Sequence, residues 1–140
     1  MLKRTLFAVA AAAALIGSSA LAETINFKAD LTGASEVPPV NTAGKGNLTA
    51  AYDTVSKTLS WKGTVSGLTG DATAAHFHGP AEPGKNAGVL VPLPGVKSGS
   101  FEGSATLTDD QAKAVTAGQT YFNIHTAANP QGEVRGQVTK

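Results

Sequence analysis

Cysteine is absent from the 140 residues, and the single methionine is Met1. Disulfides are therefore excluded, and the fold depends on an ordinary packed core. Thiolate metal sites are excluded as well, and the one thioether, Met1, is expected to leave with the N-terminal signal described below, so any metal must be held by nitrogen and oxygen. Charge of one sign is also missing. Lys and Arg number 11 against ten Asp and Glu, with no basic cluster for nucleic acid and neither an acidic tail nor a polybasic patch. No Gly-x-Ser-x-Gly elbow, phosphate loop or dinucleotide motif occurs, so hydrolase and nucleotide chemistry find no support. Internal repeats and domain linkers are lacking too.

One long apolar run does occur, at the start. Lys3 and Arg4 precede an apolar stretch from Leu6 to Ile16, and Ala20-Leu21-Ala22 supplies small residues for cleavage. The pattern predicts a bacterial-type signal peptide over residues 1–22, too short for a comfortable membrane span and followed by no second span. Without cysteine it is not a lipoprotein signal. Cleavage after Ala22 leaves 118 of the 140 residues as one domain, 23–140, and removes Lys3 and Arg4, for a net charge of −1. The expected location is the periplasm or the cell exterior.

Most of the remaining chain alternates apolar and polar residues with period two, as half-buried strands do. Ile25, Phe27, Ala29 and Leu31 form one such series. Leu48, Ala50 and Tyr52 form another, and the turn from Asp53 to Lys57 joins it to Leu59, Trp61 and Val65 as a hairpin. Further strands are expected around Ala72–His78, Val89–Leu93, Phe101–Leu107 and Val134–Val138. Thr108-Asp109-Asp110-Gln111 reads as a capping box opening one short helix, which Gly118 ends. Seven or eight short strands and a single helix predict an all-β antiparallel sandwich.

All three histidines lie in two segments, Ala75-His76-Phe77-His78-Gly79-Pro80 and Tyr121-Phe122-Asn123-Ile124-His125-Thr126. Alternation puts His76 and His78 on one face of a strand and Phe77 on the other. It likewise sends Phe122 and Ile124 inward and His125 outward, beside Tyr121 and Asn123. Residues two apart on a strand have Cα atoms about 6.5–7 Å apart, so their imidazoles can share one ion at bonds of about 2 Å. If the two strands are neighbours, His76, His78 and His125 make a three-nitrogen metal site with an open position. Nitrogen ligation suits copper first and zinc second, and disfavours calcium and magnesium. An architectural role is the alternative: the imidazoles bond loop carbonyls and pin the Gly79–Gly88 segment to the sheet. Glu36, ahead of Pro38-Pro39, supplies an oxygen ligand, accepts from an imidazole N–H, or caps a rigid loop that the prolines fix. Asn123 and Glu133 either orient His125 or bond across strands. Trp61 and Tyr121 read as core or rim packing.

Four blocks carry a family resemblance: Ala29-Asp30-Leu31-Thr32-Gly33-Ala34-Ser35-Glu36-Val37-Pro38-Pro39-Val40; Ala74-Ala75-His76-Phe77-His78-Gly79-Pro80-Ala81; the segment Tyr121–Thr126; and Asn129-Pro130-Gln131-Gly132-Glu133-Val134-Arg135-Gly136-Gln137. In this order they resemble the CHRD domain, the module named after chordin, over essentially the whole of residues 23–140. The resemblance implies an immunoglobulin-like β-sandwich. Chordin's growth-factor antagonism is credited to cysteine-rich modules that this chain lacks, so that activity is not carried over. The histidine pattern is also similar to the copper half of Cu,Zn superoxide dismutase, a Greek-key sandwich. There His76 and His78 match the paired strand ligands, His125 the late ligand, and Arg135 the anion-guiding arginine. A fourth, bridging histidine, a zinc loop and a disulfide are missing. Three classes of function stand at this point: a secreted metal-binding module for sequestration or carriage, a metal-free structural or interaction module, and a small copper redox enzyme. The first is favoured, and no protein partner is indicated.

Overall fold

The computed structural model describes residues 17, 20–93, 95–97 and 99–140. Apart from Gly17 and Ala20–Ala22, the expected signal peptide lies outside the described residues. Eight strands form in chain order: β1 (Thr24–Thr32), β2 (Lys45–Asp53), β3 (Thr58–Ser66), β4 (Ala72–His78), β5 (Val89–Leu93), β6 (Gly99–Thr106), β7 (Tyr121–Thr126) and β8 (Val134–Gln137). Among the described residues a single α-helix, α1 (Asp109–Thr116), lies between β6 and β7. All strand pairs are antiparallel, in the order β5-β4-β7-β8-β1-β2-β3-β6.

The ladder is thin at one place. β8 meets β1 in strand register at a single pair, Thr32↔Arg135, supplemented by a bridge between Lys28 and Thr139. There the sheet folds over, so that β1-β2-β3-β6 faces β5-β4-β7-β8. Aromatic side chains meet across the interior. Trp61 of β3 packs edge-on against Phe77 of β4 at 5.2 Å between centroids, and Phe101 of β6 stacks on Phe122 of β7 at 5.5 Å. β6 returns to lie beside β3, and β7 beside β4, the returning connections of a Greek key.

The first half obeys the alternation read from sequence. Phe27, Ala29, Leu31, Leu48, Ala50, Tyr52, Leu59, Trp61 and Val65 are buried, and their strand neighbours are largely solvated. The second half departs from it. Every residue of β7 is buried, as are Val134, Arg135 and Gly136 of β8. Its inner face joins the core through Ala75, Phe77, Phe122, Ile124 and Val134. Its outer face is covered by the segment after β4 and by the β7–β8 connection. The outward-facing histidines expected from alternation therefore sit on the outer face of the sheet yet under a roof: His78 and His125 are each 8% exposed.

The capping box forms as expected. Thr108 Oγ1 accepts from Gln111 N at 3.2 Å, while Gln111 Oε1 accepts from Thr108 N at 2.8 Å. Gly118 follows the helix at φ +73°, a left-handed conformation that glycine adopts without a Cβ penalty. Gln111 also donates to Leu90 O at 2.8 Å, which ties the helix start to β5. Among the described residues, no helix is long and apolar enough to cross a membrane.

Candidate metal centre

The pairing of β7 with β4 assembles the site. The register places His76 opposite Asn123, His78 opposite Tyr121, and Ala74 opposite His125. Ala74 is small, so the His125 ring has room to lean across the strand toward His76. His76 Nδ1 lies 3.0 Å from His125 Nε2. Ring centroids are 4.9 Å apart for His76–His125, 5.3 Å for His76–His78 and 6.1 Å for His78–His125. One nitrogen from each ring lies within 4.8 Å of the others.

Two backbone carbonyls determine which nitrogens are available. His78 Nδ1 lies 3.0 Å from Ala87 O, and His125 Nδ1 lies 2.9 Å from Pro130 O. A carbonyl only accepts, so each Nδ1 carries the hydrogen and each Nε2 of the neutral ring presents a lone pair. His78 Nε2 is buried with no hydrogen-bond partner among the described residues. Burial lowers the pKa of both His76 and His78. Mutual repulsion adds to this at His76; at His78 the His125 charge adds and the Ala87 carbonyl opposes. His76 and His78 are thereby held neutral near pH 7, the state in which imidazole ligates.

Tyr121 belongs to this cluster rather than to simple packing. Its ring stacks on His78 at 4.8 Å and 5° between planes, and the Arg135 guanidinium covers its other face at 3.4 Å. The Tyr121 hydroxyl donates to Ala87 O and accepts from Ala87 N, both at 3.2 Å. The sequence had placed Tyr121 on the histidine face. Its stacking role depends on Arg135 of β8, which no local pattern reveals.

Arg135 is not positioned as a guide for anions. It is 2% exposed and donates to Asn86 Oδ1 at 2.8 Å and to Lys85 O at 2.5 Å, fastening the segment that roofs the site. Nor does Glu133 orient His125. Its fully buried carboxylate accepts from Thr42 Oγ1 at 2.6 Å, Thr69 N at 2.9 Å, and Thr69 Oγ1 and Thr126 Oγ1 at 2.7 Å each. Burial raises the Glu133 pKa, but the donors from Thr42, Thr126 and Thr69 outweigh it and hold the group at about 2.

Glu36 and Asn123 do come together. The Asn123 side chain lies beside both the Glu36 carboxyl and the His78 ring, and it donates to Gln131 O at 3.3 Å. Burial pushes Glu36 up to about 7 against the lowering effects of Arg135 and Asn123. Glu36 Oε1 and Asn123 Oδ1 are both buried without a partner among the described residues. Glu36 also ends the short 3-10 turn Gly33–Ser35 by donating its N–H to Gly33 O at 3.1 Å, so the loop-capping role read from sequence is present at its backbone.

The architecture and this cluster define an all-β Greek-key domain whose outer sheet face holds three imidazoles and no sulfur. Residues 27–138 match the CHRD domain family, and the chain belongs to it. No curated protein and no solved structure matches the chain.

Proposed function

We propose that this CHRD-domain protein binds a transition metal through His76, His78 and His125, copper in preference to zinc, and that it sequesters or carries the ion outside the cytoplasm. One observation carries the reading: three imidazole nitrogens converge, and the lone pair of His78 Nε2 is buried without a donor among the described residues. An unsatisfied buried acceptor costs about 1–3 kcal/mol, and a cation relieves that cost. Asn123 Oδ1, a second buried acceptor beside His78, adds to the demand for positive charge.

Bonds of about 2 Å in a tetrahedral site require N···N separations of about 3.3 Å. The His76–His125 pair, at 3.0 Å, is already close to that value. His76 is the most exposed of the three, so the open coordination position lies on its side. Copper is favoured because affinity at nitrogen sites rises along the divalent series to Cu(II) and falls at Zn(II).

The bonds from His78 and His125 to the Ala87 and Pro130 carbonyls favour a second reading, in which the imidazoles are architectural latches. Calorimetric titration of residues 23–140 with Cu(II) and Zn(II) separates the two. The proposal expects one ion per chain and a loss of more than about 100-fold in affinity for His125→Ala, beyond the 10–100-fold typical of outer-shell changes. Equal affinity in the variant, or no binding at all, leaves the latch reading standing alone.

A further inference from the structure

A divalent ion held by three neutral imidazoles brings two positive charges into a site with no anionic ligand among the described residues. Glu133, the most deeply buried acid near the cluster, is occupied by three threonines. The other buried acid is Glu36, 5% exposed, and one amide separates it from a ligand.

The contact between Glu36 and Asn123 is shaped by Gly132. A Cβ built there would lie 2.4 Å from Glu36 Oε1 and 2.5 Å from Asn123 Nδ2, and the backbone has φ +128°. Only glycine leaves that notch open, so the carboxyl and the amide can both pack against the backbone there. Four elements face the carboxyl. β7 contributes Asn123, β8 the Arg135 cation, the β7–β8 connection Gly132, and β4 the His78 ring beyond the amide. The segment after β4 adds Asn86, which donates to Val37 O at 3.0 Å, one residue along from Glu36. Arg135 is already engaged by Asn86 and Lys85. The carboxyl therefore sits beside a committed cation, with one oxygen lacking any partner among the described residues.

We propose that Glu36 is the charge-compensating acid of the three-histidine site: it holds a proton in the metal-free protein and releases it to solvent when a divalent cation is captured. This inference rests on the metal-binding reading. The balance is simple: the cation enters, the Glu36 O–H bond breaks, one proton leaves, and the site's net gain falls from two charges to one. Asn123 transmits the effect, its amide oxygen facing the added charge and its N–H groups facing the carboxylate. Metal affinity then rises with pH through the range in which Glu36 ionises, in addition to any rise from the imidazoles.

The test is calorimetric titration with Zn(II) in buffers of differing ionisation enthalpy, which counts protons released per ion. With Glu36 half-ionised near pH 7, wild type should release about half a proton more than Glu36→Gln at pH 7, and close to one more at pH 6. A second measurement leaves the chain unaltered: the Glu36 side-chain carbon resonance in 13C-labelled protein should move from the protonated to the ionised position on loading with zinc at pH 6. Equal proton counts in the two proteins, or a resonance unmoved by zinc, overturn this inference and leave the metal site intact. Failure of the wild type to bind any ion overturns both.

Discussion

Replacing Glu133 by glutamine removes the charge from a carboxylate that ties together three separate segments through Thr42, Thr69 and Thr126. Its folded pKa of about 2 lies below the ordinary 4.5. A depressed carboxylate pKa stabilises the folded state above the unfolded value, and that stability is lost as pH falls through the folded value. The shift of about 2.5 units corresponds to roughly 3 kcal/mol at 1.36 kcal/mol per unit. A domain of this size has only about 5–15 kcal/mol in total. Urea denaturation followed by Trp61 fluorescence should put Glu133→Gln about 3 kcal/mol below wild type at pH 7. The gap should narrow between pH 4.5 and 2, where the native acid becomes as neutral as the amide. Taking the difference between the two proteins cancels every other titrating group. A gap below about 1 kcal/mol, or one that does not change between pH 5 and 2, would refute the assignment of Glu133 as an ionised hub.

Glu36 has the opposite sign. Its raised pKa of about 7 means that stability present below the unfolded value of 4.5 is lost as pH rises through 7. Glu36→Gln should therefore stabilise the metal-free protein at pH 8, by up to roughly 3 kcal/mol, read from the shift in denaturation midpoint. Because burial lowers the pKa of His76 and His78, zinc binding should persist at pH 6.5, where free imidazole is half protonated, and fall away at lower pH; competition with a chromogenic chelator across pH 5–7.5 measures this. Thr108→Ala breaks the capping box at its accepting hydroxyl and should cost about 1 kcal/mol, visible as a lowered thermal midpoint with metal binding unchanged.

Where side-chain period and local hydrogen bonds suffice, the sequence was legible. The limits of β4 and β5, the Asp53–Lys57 turn and the Thr108–Gln111 box are each written within a few residues. The same period separates Phe77 from the His76 and His78 face. The order of the four blocks also identified the family, now matched over residues 27–138. Less legible was the assignment of neighbours. Arg135, matched by resemblance to an anion guide, is committed to Asn86, Lys85 and the Tyr121 ring. Glu133, offered as a support for His125, joins Thr126 of the preceding strand to Thr42 and Thr69 from two distant segments.

The sequence by itself determined an all-β domain without sulfur, with three imidazoles on the faces opposite the core side chains, because alternation along a strand is a local property of the backbone. Tertiary structure alone decided that β7 lies beside β4, bringing His125 within 3.0 Å of His76 across 49 positions of chain. It also decided that the outer face is roofed rather than wet. Strand pairing and loop coverage depend on register between distant segments, and no short window of residues contains that information.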